Sequence, residues 1–243
     1  MNLTIDIGNT RTKYAVFDGD SIVVSGILEN LEHYTQLLKK HPITAVITSS
    51  VGQNTDFQLQ TPKNIHFHSL TPSLPLPVSI DYQPPTTLGA DRIAACVGAA
   101  AIFPSRNCLV IDAGTCITID FIDSKGTYRG GAIMPGLSMK FEALHTFTEK
   151  LPLLHLSDIC GLPDKNGKST EQSILSGVAN GTAFEINGFV NAYKSTLDDL
   201  RILITGGDAA KVSEFTVHSH SHIKDLTLIG LNKILEYNEK QNI

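Results

Sequence analysis

Two patterns of apolar residues alternate along this chain. In short runs apolar positions dominate or alternate with polar ones; in longer runs they recur every three or four residues. The first pattern predicts strands over 3–7, 13–17 and 21–26, joined as a meander by turns at Gly8-Asn9 and Asp18-Gly19. Leu31, Tyr34, Leu37 and Leu38 show the second pattern and predict a helix over 31–40. Residues 45–48 read as a buried strand ending at Ser49-Ser50, and 65–68 as a further strand. Pro72, Pro75, Pro77, Pro84 and Pro85 then exclude regular helix or central strand, leaving a rigid connector or a loop bordering a site. An alanine-rich helix is predicted over 91–103, stopped by Pro104.

The pattern then starts again. A strand is predicted at 109–112 and a hairpin turn at Ser124-Lys125-Gly126. The run from Gly130 to Gly136 reads as a glycine-rich turn before a helix over about 138–150. A polar loop over 160–169 follows, with Thr170 as a candidate cap and Glu171 just inside the helix it would open. Ile174, Val178, Phe184 and Phe189 continue the helical spacing. A buried strand at 202–204 runs into Thr205-Gly206-Gly207-Asp208, and a helix over 226–240 closes the chain. The restart places a domain boundary at 105–107, giving domains 1–106 and 107–243. The copies share a signature: Asp6-Ile7-Gly8 with Thr10 after it, and Asp112-Ala113-Gly114 with Thr115, each at the end of an apolar strand and before a second β-rich run. Repetition at half the chain length indicates two related domains, not a solenoid of short units. Meanders followed by helices, twice over, predict α/β domains with mixed sheets.

Composition narrows the function classes. The chain has 243 residues, 42% hydrophobic and 18% charged, with a net charge of −5. That is an ordinary globular balance without the basic excess of a nucleic-acid binder. The longest apolar run, 93–103, is too short and too rich in Ala and Gly to span a bilayer, and no signal peptide is visible. Cys96, Cys108, Cys116 and Cys160 form no CxxC pair, which points to reduced thiols in the cytoplasm. His218, His220 and His222 would share one face if they lay on a strand, but no Cys or carboxylate interleaves to favour a metal over a solvated face.

The candidate chemistry lies in the turns. A hairpin at Gly8 lets backbone N–H groups approach a phosphate; Thr10 and Thr12 add hydroxyls and Lys13 a positive charge, while Asp6 would hold magnesium. The spacing is not that of a Walker loop, and taken alone it is also an ordinary turn. Gly206-Gly207 would allow close approach to a flat ring or a ribose, or would simply cap a helix. Asp91, after Gly89-Ala90, is either a helix N-cap or a base that orients an attacking hydroxyl. Arg92 is either a surface charge or the partner of a substrate carboxylate.

The set Asp6-x-Gly-Asn-Thr, Gly89-Ala-Asp-Arg, Asp112-Ala-Gly-Thr, Gly130-Gly-x-x-x-Pro-Gly and Thr205-Gly-Gly-Asp, in that order, resembles the type III pantothenate kinases. The resemblance implies two ribonuclease-H-like domains of the actin-like ATPase type, with mixed sheets flanked by helices and a cleft between them. It implies ATP-dependent phosphorylation of pantothenate, the first step toward coenzyme A. By motif match, Asp6, Ile7, Gly8, Asn9, Thr10, Arg11, Thr12 and Lys13 would bind the ATP phosphates and Mg2+, and Thr115 would contact ATP. Asp91 would accept the hydroxyl proton; Gly89, Ala90, Arg92 and Tyr82 would line the pantothenate site. Asp112 would hold a monovalent cation, K+ or NH4+. Thr170 would reach pantothenate across the interface of a homodimer. Two other readings stand beside it. A sugar or acetate kinase would normally be longer and lack Gly89-Ala-Asp-Arg. A non-catalytic regulator of transcription would have no use for Asp91.

Overall fold

The computed structural model describes residues 1–8, 10–49 and 55–241; Asn9 and Ser50 lie outside the described residues. In chain order the elements of the first half are β1 (Asn2–Ile7), β2 (Thr12–Asp18), β3 (Ser21–Ile27), α1 (Leu31–Lys40), β4 (Ala45–Ser49), α2 (Thr55–Gln60), β5 (His66–Leu70), β6 (Ser79–Ile80) and α3 (Ala90–Ile102). Then come β7 (Asn107–Ala113), β8 (Cys116–Ile122), β9 (Thr127–Pro135), α4 (Leu137–Thr146), α5 (Thr170–Lys194), β10 (Leu200–Thr205), α6 (Ala209–Phe215), β11 (Ser221–His222) and α7 (Leu226–Lys240). The chain forms two units: Met1–Ser105 with Ile122–Gly130 and the chain from Asp225 onward, and Arg106–Phe121 with Gly131–Lys224.

In the first unit the sheet order is β3-β2-β1-β4-β5. The meander β1-β2-β3 is antiparallel, and β4 and β5 are parallel to β1. Leu3, Ile5, Val16 and Val46 point into a core completed by Tyr34 and Leu37 of α1. That helix starts where Asn30 accepts a bond from His33 N–H, at 2.8 Å, satisfying one of its free donors. Two helices, α3 and α7, pack in the same unit through glycines. A Cβ on Gly230 would lie 1.7 Å from the Ala94 carbonyl oxygen, and one on Gly98 would lie 2.6 Å from that of Leu226. His66 and His68 of edge strand β5 both bond the Glu239 carboxylate of α7, at 2.8 and 2.9 Å. The proline-rich stretch yields only the two-residue β6 and a 3-10 turn at Pro85–Thr87. Pairing of β6 with Thr127–Tyr128 is parallel.

The second sheet has the order β11-β10-β7-β8-β9, extended at the β9 edge by the two residues of β6. Counted from its own first strand, this is the strand order of the first unit. β10 is parallel to β7, and β11 to β10. Leu109, Ile111, Ile117 and Ile119 form its core with Phe141 of α4, Ile174, Val178 and Ile186 of α5, and Phe215 of α6.

Several expected details differ. The run from Gly130 to Pro135 is not a turn but the continuation of β9. Its glycine serves strand packing, since a Cβ on Gly131 would sit 1.9 Å from the Ile119 carbonyl oxygen of β8. α4 ends at Thr146, earlier than the spacing suggested. Thr170 is the first residue of α5, and Ser169 is the cap, accepting from Gln172 N–H. Phe184 breaks the buried spacing of α5 and is 62% exposed. His218 and His220 lie outside any strand, and among the described residues no three His, Cys, Asp or Glu side chains are grouped so as to hold a metal. The short helices α2 and α6 were not anticipated, being too brief for a clear period. No helix of the described residues is long and apolar enough to cross a membrane.

Candidate active site

The register of the first sheet builds the first half of the site. Asp6, near the end of β1, pairs with Lys13 of β2 on one side and Ser49 of β4 on the other. Ser49 Oγ donates to Asp6 Oδ1 at 2.5 Å. Burial pushes the Asp6 carboxyl above its ordinary range. The Ser49 bond opposes this, the Asp91 charge adds to it, and Lys13 counters. Asp6, desolvated and near enough to Asp91 to feel its charge, offers hard oxygen atoms of the kind Mg2+ takes. Ile7 continues β1 beside Asp6, and Gly8 N–H bonds the Arg11 carbonyl at 3.2 Å, closing the turn. Thr10 and Arg11 are exposed beyond it, and Thr12 and Lys13 return along β2.

Asp91 belongs to the same unit. It is not the N-cap expected as its bland role; Gly89 holds that position, and Asp91 lies in the first turn of α3. Its Oδ1 accepts from Arg92 N–H at 2.8 Å, and no other described group bonds it, so Oδ2 is open. A Cβ on Gly89 would lie 2.5 Å from Asp91 Oδ1, so the glycine gives this carboxylate its room. Arg92 is 7% exposed, not a surface charge, and its guanidinium carbon stands 5.9 Å from the centre of the Tyr82 ring. Tyr82 in turn faces Tyr128 at 6.0 Å. The peptide before Tyr82 is held by Asp81 N–H to the Tyr128 carbonyl, 2.9 Å, and by Arg129. Arg129 donates from Nη1 to Asp81 and from Nε to Asp123, each at 2.8 Å. The first unit thus gathers Asp6, Lys13, Ser49 and Asp91, with Tyr82, Gly89, Ala90 and Arg92 beside them. Ser49 was missed as a partner; its only signal was a polar residue closing an apolar strand.

In the second unit Asp112 and Thr115 flank the turn between β7 and β8. Two glycines hold that turn. Gly136 N–H bonds the Thr115 carbonyl at 3.1 Å, and a Cβ there would meet the Gly114 oxygen at 2.2 Å. Gly206, at φ +101°, leaves no room for a Cβ against the Ala113 oxygen, at 2.2 Å. Asp208 N–H bonds that same oxygen at 2.9 Å. Thr170 is exposed at the start of α5, on the rim of a shallow hollow of about 600 Å³ lined by Leu144, Leu151, Lys168, Ser173 and Gly177.

The duplicated β-β-β-α-β units with an aspartate on each first strand define the fold class of actin-like ATPases and sugar kinases. Solved structures agree in fold. A Campylobacter jejuni protein assigned to the Baf family of transcriptional activators matches with a TM-score of 0.62 at 24% identity, over 98% of this chain and 99% of that one. The activator of the 2-hydroxyisocaproyl-CoA dehydratase from Clostridium difficile matches at 0.56 and 13%, over 99% and 97%. Within that class the sequence is specific: residues 2–192 match the family model of type III pantothenate kinase. The type III pantothenate kinase of Cytophaga hutchinsonii is 44% identical over 98% of this chain and 100% of its own length. That of Flavobacterium johnsoniae is 42% identical over 91% and 93%. The chain belongs to the type III pantothenate kinase family.

Proposed function

We propose that this protein transfers the γ-phosphoryl group of ATP to the primary hydroxyl of pantothenate, giving 4′-phosphopantothenate for coenzyme A biosynthesis. Family membership supports the substrate. The observation that carries the chemistry is the pairing, in one unit, of a desolvated Asp6 with a first-turn Asp91 whose Oδ2 is open. Asp91 Oδ2 takes the hydroxyl proton as the oxygen bonds to the γ-phosphorus and the bond to the β-bridging oxygen breaks, releasing ADP. Phosphoryl transfer asks little covalent work of a protein, so orienting that hydroxyl is the main task. Arg92 and Tyr82 hold the pantothenate carboxylate end, the guanidinium being already desolvated and oriented. The Gly8–Lys13 turn offers N–H, hydroxyl and ammonium groups to the phosphates. Asn9, assigned to the same turn, lies outside the described residues. Asp6 holds Mg2+, which when bound neutralises charge on the phosphates. Asp112 holds K+ or NH4+, and Thr115 contacts ATP from the exposed end of its turn.

The homologous halves are 1–106 and 107–243; the repeated strand order supports this division. The working form is a homodimer, to which Thr170 contributes. In α5, Gly177, Gly181, Phe184 and Gly188 recur at helical spacing, the glycines face open space and Phe184 is exposed, as an apolar helix contact requires. Four free cysteines, two of them buried, fit the reducing cytoplasm. A coupled assay with pantothenate, ATP, Mg2+ and K+ tests the reading. Release of ADP that depends on pantothenate, and falls when Na+ replaces K+, is expected. Phosphorylation of sugars or acetate with none of pantothenate would overturn it.

A further inference from the structure

Ser49 has no part in the phosphoryl transfer described above. Along β1, Leu3 and Ile5 enter the core beneath α1, whereas Asn2 bonds Asn232 of α7 at 2.8 Å. Alternation places Asp6 on the α7 side with Asn2, and its parallel partner Ser49 of β4 stands beside it there. Ser49 is 3% exposed, and its hydroxyl donates to Asp6 Oδ1 at 2.5 Å. A serine has a single proton to give, and this one goes to the carboxylate. Neighbouring hydroxyls are used otherwise. Thr4, on the same face, donates to the Ala15 carbonyl at 3.3 Å, and Thr48 Oγ1 has no hydrogen-bond partner among the described residues. The pairing recurs in the second unit, where the buried Thr205 of β10 is in parallel register with Asp112 of β7. A buried hydroxyl residue beside the first-strand aspartate is thus common to both halves of the repeat. With Oδ1 engaged, Asp6 has only Oδ2 without a bonding partner among the described residues. Mg2+ is small and takes a tight octahedron, to which a carboxylate gives one oxygen and waters much of the rest. Ca2+ is larger and often takes both oxygens of a carboxylate.

We propose that Ser49 is a positioning residue: by engaging Oδ1 it holds Asp6 to one metal-facing oxygen and so selects Mg2+ over Ca2+. Bonds of this outer kind orient the ligands of a metal site and set its affinity. The assignment rests on the reading of Asp6 as the Mg2+ ligand. The test uses the full chain with ADP and Mn2+, whose paramagnetic resonance signal reports binding, and measures displacement of Mn2+ by Mg2+ and by Ca2+. The nucleotide's own preference is common to every variant and cancels in the comparison. Ser49→Ala is expected to weaken Mg2+ about tenfold, the lower end of the usual cost of losing such a bond. Ca2+ should lose nothing, because both oxygens of Asp6 become available to it, so the ratio of the two affinities shifts about tenfold toward Ca2+. Ser49→Thr keeps the hydroxyl on a strand where a β-branched residue is at home, and should hold the wild-type ratio. Mg2+ and Ca2+ weakened alike in Ser49→Ala, or neither weakened, would overturn the assignment, since a purely structural bond does not discriminate between cations. So would a Ser49→Thr variant that melts like the wild type yet shows the ratio of Ser49→Ala. Asp6→Asn separates the two readings. Mn2+ held as tightly as in the wild type would overturn Asp6 as the metal ligand, whereas weakened binding there with an unchanged ratio in Ser49→Ala would overturn the role of Ser49 alone.

Discussion

In the proposed scheme Asp91 and Asp6 divide the work between an open carboxylate and a desolvated one. Asp91→Asn keeps the size and the bond from Arg92 N–H but cannot take a proton. We expect turnover to fall by about 10²–10⁴, the usual worth of a positioned base, with KM for pantothenate and the thermal midpoint nearly unchanged. A variant within tenfold of wild type would remove Asp91 from that role. For Asp6 the test is stability against pH. Its folded-state pKa lies above the ordinary value of 3.8, so the folded state binds its proton more tightly than the unfolded chain does. The ionised residue therefore costs stability, and the cost grows as pH rises from about 3.8 through the folded pKa and is complete above it. Asp6→Asn without Mg2+ should melt higher than wild type at neutral pH, and the difference should vanish as pH falls below that window. Saturating Mg2+ should narrow the gap from the wild-type side. An identical melting difference at every pH would contradict it. Both acids were legible as candidates because each stands in a short glycine motif. Ser49 was not, because the bond it makes depends on the parallel register of β1 with β4, which no local pattern encodes.

Elements whose packing is internal were read closely, and α1 and α7 fall at the predicted bounds. The glycines of 130–136 were misread as a turn because glycine has two uses, a positive φ and a close approach. Only Gly130 has the first, at φ +95°, and it lies within β9, whereas Gly131 and Gly136 serve the second. The same use governs α3 against α7. Gly230→Ala would drive a methyl group into the Ala94 carbonyl, so the helices must separate. We expect a loss of about 1–3 kcal/mol in urea unfolding, with Gly98→Ala milder because its clash is less severe. A neutral Gly230→Ala would show that the seam gives freely. β6 makes a different kind of contact. Its two residues are too few to hold Tyr82 in place, and Arg129 supplements them by bridging Asp81 and Asp123. Such partly exposed pairs contribute little to stability, so the effect belongs in substrate binding. Arg129→Ala should raise KM for pantothenate several-fold and leave KM for ATP unchanged. Arg129→Lys should not restore it, since one ammonium lacks the two fixed donors of the guanidinium fork. Parallel rises in both KM values would count against a role specific to Tyr82.

At the scale of the whole chain the repeat was the most legible feature. Its physical basis is the strand order, which each sheet repeats around its own first strand. The return of 122–130 and of the segment after 225 to the first unit is a matter of tertiary packing, which no local pattern encodes. The exposed side of α5 belongs to the same scale, because helical spacing put Phe184 in one series with Ile174, Val178 and Phe189. The period of α5 is satisfied by Ile174, Val178, Ile186 and Val190 on one face, which leaves Phe184 on the other. Phe147, beyond α4, is 84% exposed in the same unit. Two large aromatic side chains left in water, one of them on a helix face otherwise lined by glycines, fit the homodimer proposed above. Phe184→Asp should therefore convert a dimer to a monomer in light scattering at micromolar concentration, since a charge at a buried apolar contact is strongly disfavoured. The melting temperature of the wild type should rise with protein concentration, and that of the variant should not. Pantothenate turnover should fall with dissociation, because Thr170 at the head of the same helix would no longer reach a neighbouring site. A Phe184→Asp variant that stays dimeric would move the interface elsewhere, and a fully active monomer would show that Thr170 acts within its own chain.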